Sequence, residues 1–135
     1  MDTITNPLYR QRIGALIMAT PALRPGAVQL GDGGHDPATQ TPLAPRGSLY
    51  SPLPGTHPAT PLLAGDGATV QVSVALAAGS EGITFSEAVL LSEDGTPILH
   101  ATTTPQTVAS GVDVLFNFAL NGPLVTDGGG ASVNL

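Results

Sequence analysis

The stretch Thr69–Val70–Gln71–Val72–Ser73–Val74–Ala75–Leu76 decides the fold class. Val70, Val72, Val74 and Leu76 fall on one side; Thr69, Gln71, Ser73 and Ala75 fall on the other. A period of two is the repeat of a half-buried β-strand, because successive side chains point to opposite faces. The same signal returns downstream. Ala78–Gly79–Ser80–Glu81–Gly82 reads as a loop, and Ile83 to Leu91 as a second strand, with Ile83 and Phe85 inward until Glu87 interrupts the apolar face. Glu93–Asp94–Gly95 provides the positive φ of a tight turn. Pro97 to Thr102 forms the partner strand, its leading proline marking a strand start or a sheet edge. Thr103–Thr104–Pro105–Gln106–Thr107 reads as a further turn. Val112, Val114, Phe116, Phe118 and Leu120 then alternate against Asp113, Asn117 and Ala119. Strands at roughly ten-residue spacing, joined by turns, imply an antiparallel sheet or small β-sandwich. Residues 122–135, with Gly128–Gly129–Gly130, read as a flexible tail.

Upstream, Asn6 to Ala19 carries a helix signature. Asn6 suits the N-cap and Pro7 the first helical position. Tyr9, Ile13, Leu16 and Ile17 recur at helical spacing, and Pro21 ends the pattern. Gly14 inside it costs about 1 kcal/mol relative to Ala. Ala27–Val28–Gln29–Leu30 is a short strand candidate running into Gly31–Asp32–Gly33–Gly34. Between Pro37 and Pro61 lie seven prolines in 25 residues, a density that neither a helix nor a central strand should survive. This segment is expected to be an extended arm laid on a partner, or disordered, and removable without unfolding the sheet. Within it, Leu43–Ala44–Pro45–Arg46–Gly47–Ser48 resembles an engineered protease-cleavage linker, a likeness that its mid-chain position and matching composition make coincidental. The expected organisation is a mainly β protein: a helical segment over 1–26, a β domain over 27–121 that includes the arm at 37–61, and a tail over 122–135.

Composition removes several function classes. The 135 residues include 10 acidic side chains and only four basic ones, Arg10, Arg12, Arg24 and Arg46, for a formal charge of −6. Nucleic-acid affinity rests on phosphate neutralisation by Lys and Arg, so nucleic acid is not an expected partner. The same deficit argues against an anionic membrane surface, and no apolar run approaches a membrane span. No secretory pattern of basic, apolar and small residues is seen. The absence of Cys excludes disulfides and thiolate metal sites. A surface this poor in charge suits a protein covered by neighbours.

Chemistry-bearing clusters are sparse. Asp32, His35 and Asp36 offer carboxylates and an imidazole to a divalent metal, but the same residues suit a turn in which Asp side chains bond backbone amides and Gly supplies positive φ. No second His-containing motif completes a metal site, and no Lys–Ser/Thr follows to make a phosphate loop. His57 and His100 are isolated, no Gly-x-Ser-x-Gly elbow exists, and Glu81 with Glu87 is a poor catalytic pair. No cofactor and no catalysis are expected. Glu87 stands out, since a buried carboxylate needs a partner, and one of the four arginines is the natural candidate, from this chain or a neighbour.

The order of these motifs resembles a known family. Val28–Gln29–Leu30–Gly31–Asp32–Gly33–Gly34–His35–Asp36 is followed by a Pro-rich segment with Leu49–Tyr50. Then come Phe85–Ser86–Glu87–Ala88–Val89–Leu90–Leu91, the Glu93–Asp94–Gly95–Thr96 turn and the strand Val114–Leu115–Phe116–Asn117–Phe118. This is similar to the N-terminal, particle-proximal domain of tailed-phage tail-fibre (tail-collar fibre) proteins, over about residues 10–120. In that family a GDG turn follows a strand and a Glu-Ala-Gly-Leu-Phe hairpin precedes the last strand; here Val89–Leu90–Leu91 replaces Gly-Leu-Phe and keeps its apolar character. Such fibre proteins usually continue into a shaft and receptor-binding tip, so the resemblance implies the attachment module alone. It implies a homotrimeric virion protein at the baseplate or tail tip, made in the host cytoplasm, whose partners are baseplate and fibre proteins. Tyr9, Arg10, Arg12, Arg46, Leu49, Tyr50 and Glu87 are the expected interface residues. The alternatives are a capsid decoration protein, with similar composition, and a carbohydrate-binding module, for which a chain without Trp and with only Tyr9 and Tyr50 offers little stacking surface.

Overall fold

A computed structural model describes residues 6–76, 79–80 and 82–108, and the backbone of 115–120 and 131–134. The expectations for Glu81, for Val112 to Val114 and for the side chains of Phe116 and Phe118 lie outside the described residues. Among the described residues the fold is mainly β with one N-terminal helix, as the alternation implies. The elements are α1 (Pro7–Ala19), β1 (Pro25–Gly31), β2 (His57–Leu63), β3 (Val70–Ala75), β4 (Thr84–Ser92), β5 (Pro97–Thr107), β6 (Leu115–Leu120) and β7 (Ala131–Asn134). The strands join in one antiparallel sheet of order β5-β4-β1-β2-β3-β6-β7 rather than in the two separate layers of a sandwich. The sheet curls so that Val28 and Leu30 of β1, Val70, Val72 and Val74 of β3, and Phe85, Ala88 and Leu90 of β4 share one core.

Several boundaries follow the sequence closely. The Asn6 side chain accepts from Leu8 N at 2.9 Å and caps α1, with Pro7 in its first turn. Val70, Val72 and Val74 are fully buried while their alternates are exposed. Gly95 has φ +87° in the β4–β5 turn, where Asp94 accepts from Thr96 N and Oγ1 and from the Ser92 hydroxyl.

Four expectations are corrected. First, β2 contains Pro58 and Pro61 yet lies fourth of seven strands. It pairs with β1 through only two residue pairs, Ala27 with Pro58 and Val28 with His57, while its ladder to β3 covers five. The side towards β1 therefore resembles an edge, where missing N–H donors cost little. Second, residues 103–107 are not a turn but the end of β5. Phe85 faces Gln106 and Glu87 faces Thr102, so Thr103, Thr104 and Pro105 bulge opposite the single residue Ser86. Third, that bulge changes the parity of β4. Phe85, Ala88 and Leu90 enter the core, so Glu87 does not share the inward face of Phe85 but leaves on the opposite side with Val89. Fourth, the expected tail includes β7, which pairs with β6 from Asn117–Asn134 to Leu120–Ala131.

Helix α1 packs through Ile13, Gly14, Ile17 and Met18, not through Tyr9 and Leu16, which are both 51% exposed. Gly14 makes the approach possible: a Cβ there would stand 2.8 Å from Ala68 O and 3.1 Å from Leu63 Cδ1. The loop it meets is braced by Asp66, which accepts from Ala68 N, Thr69 N and Thr69 Oγ1. Those donors, those of Thr69 foremost, pull the Asp66 carboxyl down to about 2. Gln11 Nε2 donates to Asp66 O and ties the helix to the same loop. At the other end of α1, Arg24 binds Met18 O and forms a two-bond fork to Glu93 at 2.9 and 2.7 Å.

Gly14→Ala should destabilise the protein by about 1 kcal/mol in urea titrations, because a clash against backbone outweighs the gain in helix propensity. A more stable Ala variant would mean that the helix does not seat against Ala68.

Candidate functional site

The feature that organises the second face of the sheet is the Glu87 carboxylate, only 1% exposed on β4. Its Oε1 accepts from Tyr50 N at 2.7 Å and His100 Nε2 at 2.9 Å; its Oε2 accepts from Ser51 N at 2.9 Å and Gly33 N at 3.1 Å. Four donors occupy the four lone-pair positions of a carboxylate. No acceptor capacity remains for a substrate proton or a metal, so this group works as a fastener. Burial pushes its pKa up, but the amides of Ser51 and Tyr50, the His100 ring and the Gly33 amide together hold it below the ordinary 4.5. The sequence points to an arginine as the partner of Glu87; the structure uses backbone amides and a histidine instead.

His100 is set by its own neighbours. Its Nδ1 accepts from Arg46 N at 3.0 Å, so the ring proton sits on Nε2 and donates to Glu87. The Arg46 guanidinium lies 4.1 Å from the centre of the Tyr50 ring, and its nitrogens donate to Ser48 O and Leu49 O. The Tyr50 ring is in turn tilted against His100 at 5.9 Å, and its hydroxyl donates to Ala44 O. Thr102 Oγ1 donates to Leu43 O. The Pro-rich segment is thus an ordered strap closed over its own sheet. It also pairs by backbone at Leu53 N to Leu30 O, Asp32 N to Ser51 O and Leu43 N to Gly34 O. Removing residues 37–61 would delete five of the seven residues of β2 and two of the four Glu87 donors, so the strap is not dispensable to the sheet.

The glycines of Gly31–Asp32–Gly33–Gly34 are explained by the same carboxylate. A Cβ on Gly31 would stand 2.7 Å from Glu87 Cγ; on Gly34 it would collide with Ser86 O and stand 2.7 Å from Glu87 Cβ. Close approach, not positive φ, is what these positions require. Beside them Ser86 Oγ accepts from Gly34 N and bonds His35 Nδ1, both at 2.8 Å. Asp36 Oδ1 accepts from Ala38 N and Thr39 N, as the turn reading requires, and Asp32 is exposed. These bonds place Asp36 in a turn and His35 against β4, and among the described residues no group of three His, Asp or Glu side chains lies together.

Of the expected interface residues, Arg46, Leu49, Tyr50 and Glu87 meet in this one network within the chain. Tyr9 and Arg12 stand exposed on α1, and Arg10 is partly buried on the same helix. His100, Gly33 and Ser86 were missed. His100 was legible in principle: counting from the Asp94–Gly95 turn places it opposite Val89, one rung from the Glu87–Thr102 pair on the same face. Compared with protein-family models, curated proteins and solved structures, the chain matches none.

Glu87→Gln should cost about 2–4 kcal/mol, since a carboxamide presents N–H groups to donors that need an acceptor. The wild-type carboxyl is depressed on folding, so its stabilisation is complete above pH 4.5 and is lost as pH falls from there through the lower folded value. Burial also lowers the His57 pKa, which adds a separate loss as pH drops below 6.5. Chemical denaturation against pH should show both limbs in the wild type and a shallower acid limb in Glu87→Gln, where only the depressed Asp66, Glu93 and Asp94 carboxyls still contribute to it.

Proposed function

We propose that this chain is a structural virion protein of a tailed phage or phage-like particle, the baseplate or tail-tip module that attaches fibres, and that it acts by binding. The observation that carries the reading is that the two motifs behind the family resemblance meet in space. Gly33 N and Glu87 Oε2 are 54 residues apart in sequence and hydrogen-bonded, and Gly34 N reaches Ser86 Oγ. A GDGG turn and a Ser-Glu-Ala strand are then two halves of one fastener, which accounts for their occurring together in this order. The product is a rigid knob, with the strap closed and few charges on show, which suits a part locked between neighbours.

The network around Glu87 moves the expected partner surface elsewhere. Residues that satisfy one another within the chain are not free to clasp a neighbour, which leaves the outer face of α1. Leu8 is 56% exposed, and with Tyr9, Arg12 and Leu16 it forms an apolar stripe with one cation. In this reading the stripe is the contact between copies of a homotrimer or with the fibre. The carbohydrate reading loses ground, because the Tyr50 ring is covered by Arg46.

Immunogold labelling of intact particles with antibody to this chain should mark the tail end with few copies; dense labelling of the head would establish the decoration protein instead, and absence from particles would end the virion reading. A Tyr9→Ser/Leu16→Asp variant should retain stability to within about 0.5 kcal/mol, as exposed substitutions do. It should nevertheless run as a monomer by light scattering where the wild type is a trimer.

A further inference from the structure

The strap carries one feature that the fastener does not absorb: the bond between Arg46 and Gly47. We propose that this bond is a guarded processing site for an arginine-specific serine endoprotease. Four observations converge on it. Only four bonds in the chain follow a basic residue. Arg10 and Arg12 lie inside α1, where backbone hydrogen bonds must break before a protease can extend the chain. Arg24 is followed by Pro25, which opposes cleavage, and its guanidinium is held by Glu93 and Met18 O. Arg46 alone sits in an exposed loop, 44–48, between Pro45 and Gly47.

Gly47 has φ +92°, and a side chain there would meet nothing within 4 Å, so space for an enzyme exists on its side. The left-handed backbone is not the extended form that proteases bind, but glycine changes between the two at low cost. The guard is the loop's own bonding. The Arg46 side chain is curled onto Ser48 O and Leu49 O, both on the far side of the scissile bond, instead of being offered to an enzyme pocket. Arg46 N is held by His100 Nδ1, and Ala44 O by the Tyr50 hydroxyl. Cleavage therefore waits on local opening of the loop, not on unfolding of the sheet.

The reaction is hydrolysis. The enzyme serine attacks the Arg46 carbonyl carbon, the C–N bond to Gly47 breaks, and the Gly47 nitrogen takes a proton and leaves as a new amine. Water then releases Arg46 as a carboxylate. No strand pair is cut. Upstream, Leu43 stays bonded to Gly34 O and Thr102; downstream, Tyr50 and Ser51 still donate to Glu87. The freed residues 47–49 form one wall of a groove floored by Val89 and Leu91, so the cut would uncover that apolar floor while the protein stays folded.

The test is limited digestion of the folded full chain with trypsin, followed by intact mass over time. The first cut should fall between Arg46 and Gly47, with fragments 1–46 and 47–135 co-eluting as one folded species, and Arg46→Gln should remove it. Tyr50→Phe, which releases Ala44 O, should be cut about ten-fold faster than the wild type, because cleavage tracks the open population. Thr102→Val, which frees Leu43 O, serves as the second guard variant. First cuts after Arg10, Arg12 or Arg24, simultaneous loss at all four positions, or resistance of the folded chain would overturn the site. Unchanged rates in both guard variants would overturn the guard.

Discussion

A carboxylate buried in a β-sheet is tolerated only when its lone pairs are filled, and in this protein that requirement shapes everything on one side of the sheet. Glu87 is desolvated on β4, and neither salt nor solvent can satisfy it there. Its donors come from three distant places in the chain: the turn after β1 at Gly33, the strap at Tyr50 and Ser51, and β5 at His100. Each donor is a backbone amide or a ring nitrogen that itself needs an acceptor. The site is therefore mutually dependent, and the loss of the carboxylate would orphan all four partners at once.

The dependence extends outward by one more layer. His100 can donate to Glu87 because Arg46 N fills its other nitrogen, and Arg46 is placed by the Tyr50 ring beneath its guanidinium. A segment with seven prolines has little conformational freedom to lose when it docks, so a few such bonds suffice to hold it. The apolar core on the other side of the sheet is built by different means, from β-branched alternation on β3 and the aliphatic residues of β1 and β4. The two faces meet at the Ser86 bulge, which turns Phe85 into the core and Glu87 out of it.

What the sequence reveals and what it hides divide along physical lines. Local rules are legible: the Asn6–Pro7 helix start, the alternation of Val70, Val72 and Val74, and the Asp94–Gly95 turn each depend on neighbouring residues alone. Glu87 is conspicuous for the same reason, as a charge amid apolar alternation. Its partners are not, because they depend on strand register, and a three-residue bulge opposite Ser86 reverses the parity by which faces are assigned. The prolines of β2 hide a strand because the rule against them assumes two full ladders, whereas this strand has little more than one. Gly14 reads as a weakness of the helix and is in fact its contact point, a role visible only once Ala68 is in place. The role proposed for the molecule in a virion rests on motif order and on the fastener that brings those motifs together.

The central claim is that one carboxylate holds turn, strap and edge strand as a unit, and amide hydrogen exchange followed by NMR tests it most directly. In the wild type the amides of Gly33, Tyr50, Ser51 and Arg46 should be protected as a group, far more than the exposed Gly47 amide nearby. In Glu87→Gln they should lose protection together while the amides of β3 keep theirs. If the four wild-type amides exchange as freely as Gly47, or lose protection one by one and independently of residue 87, the account is wrong.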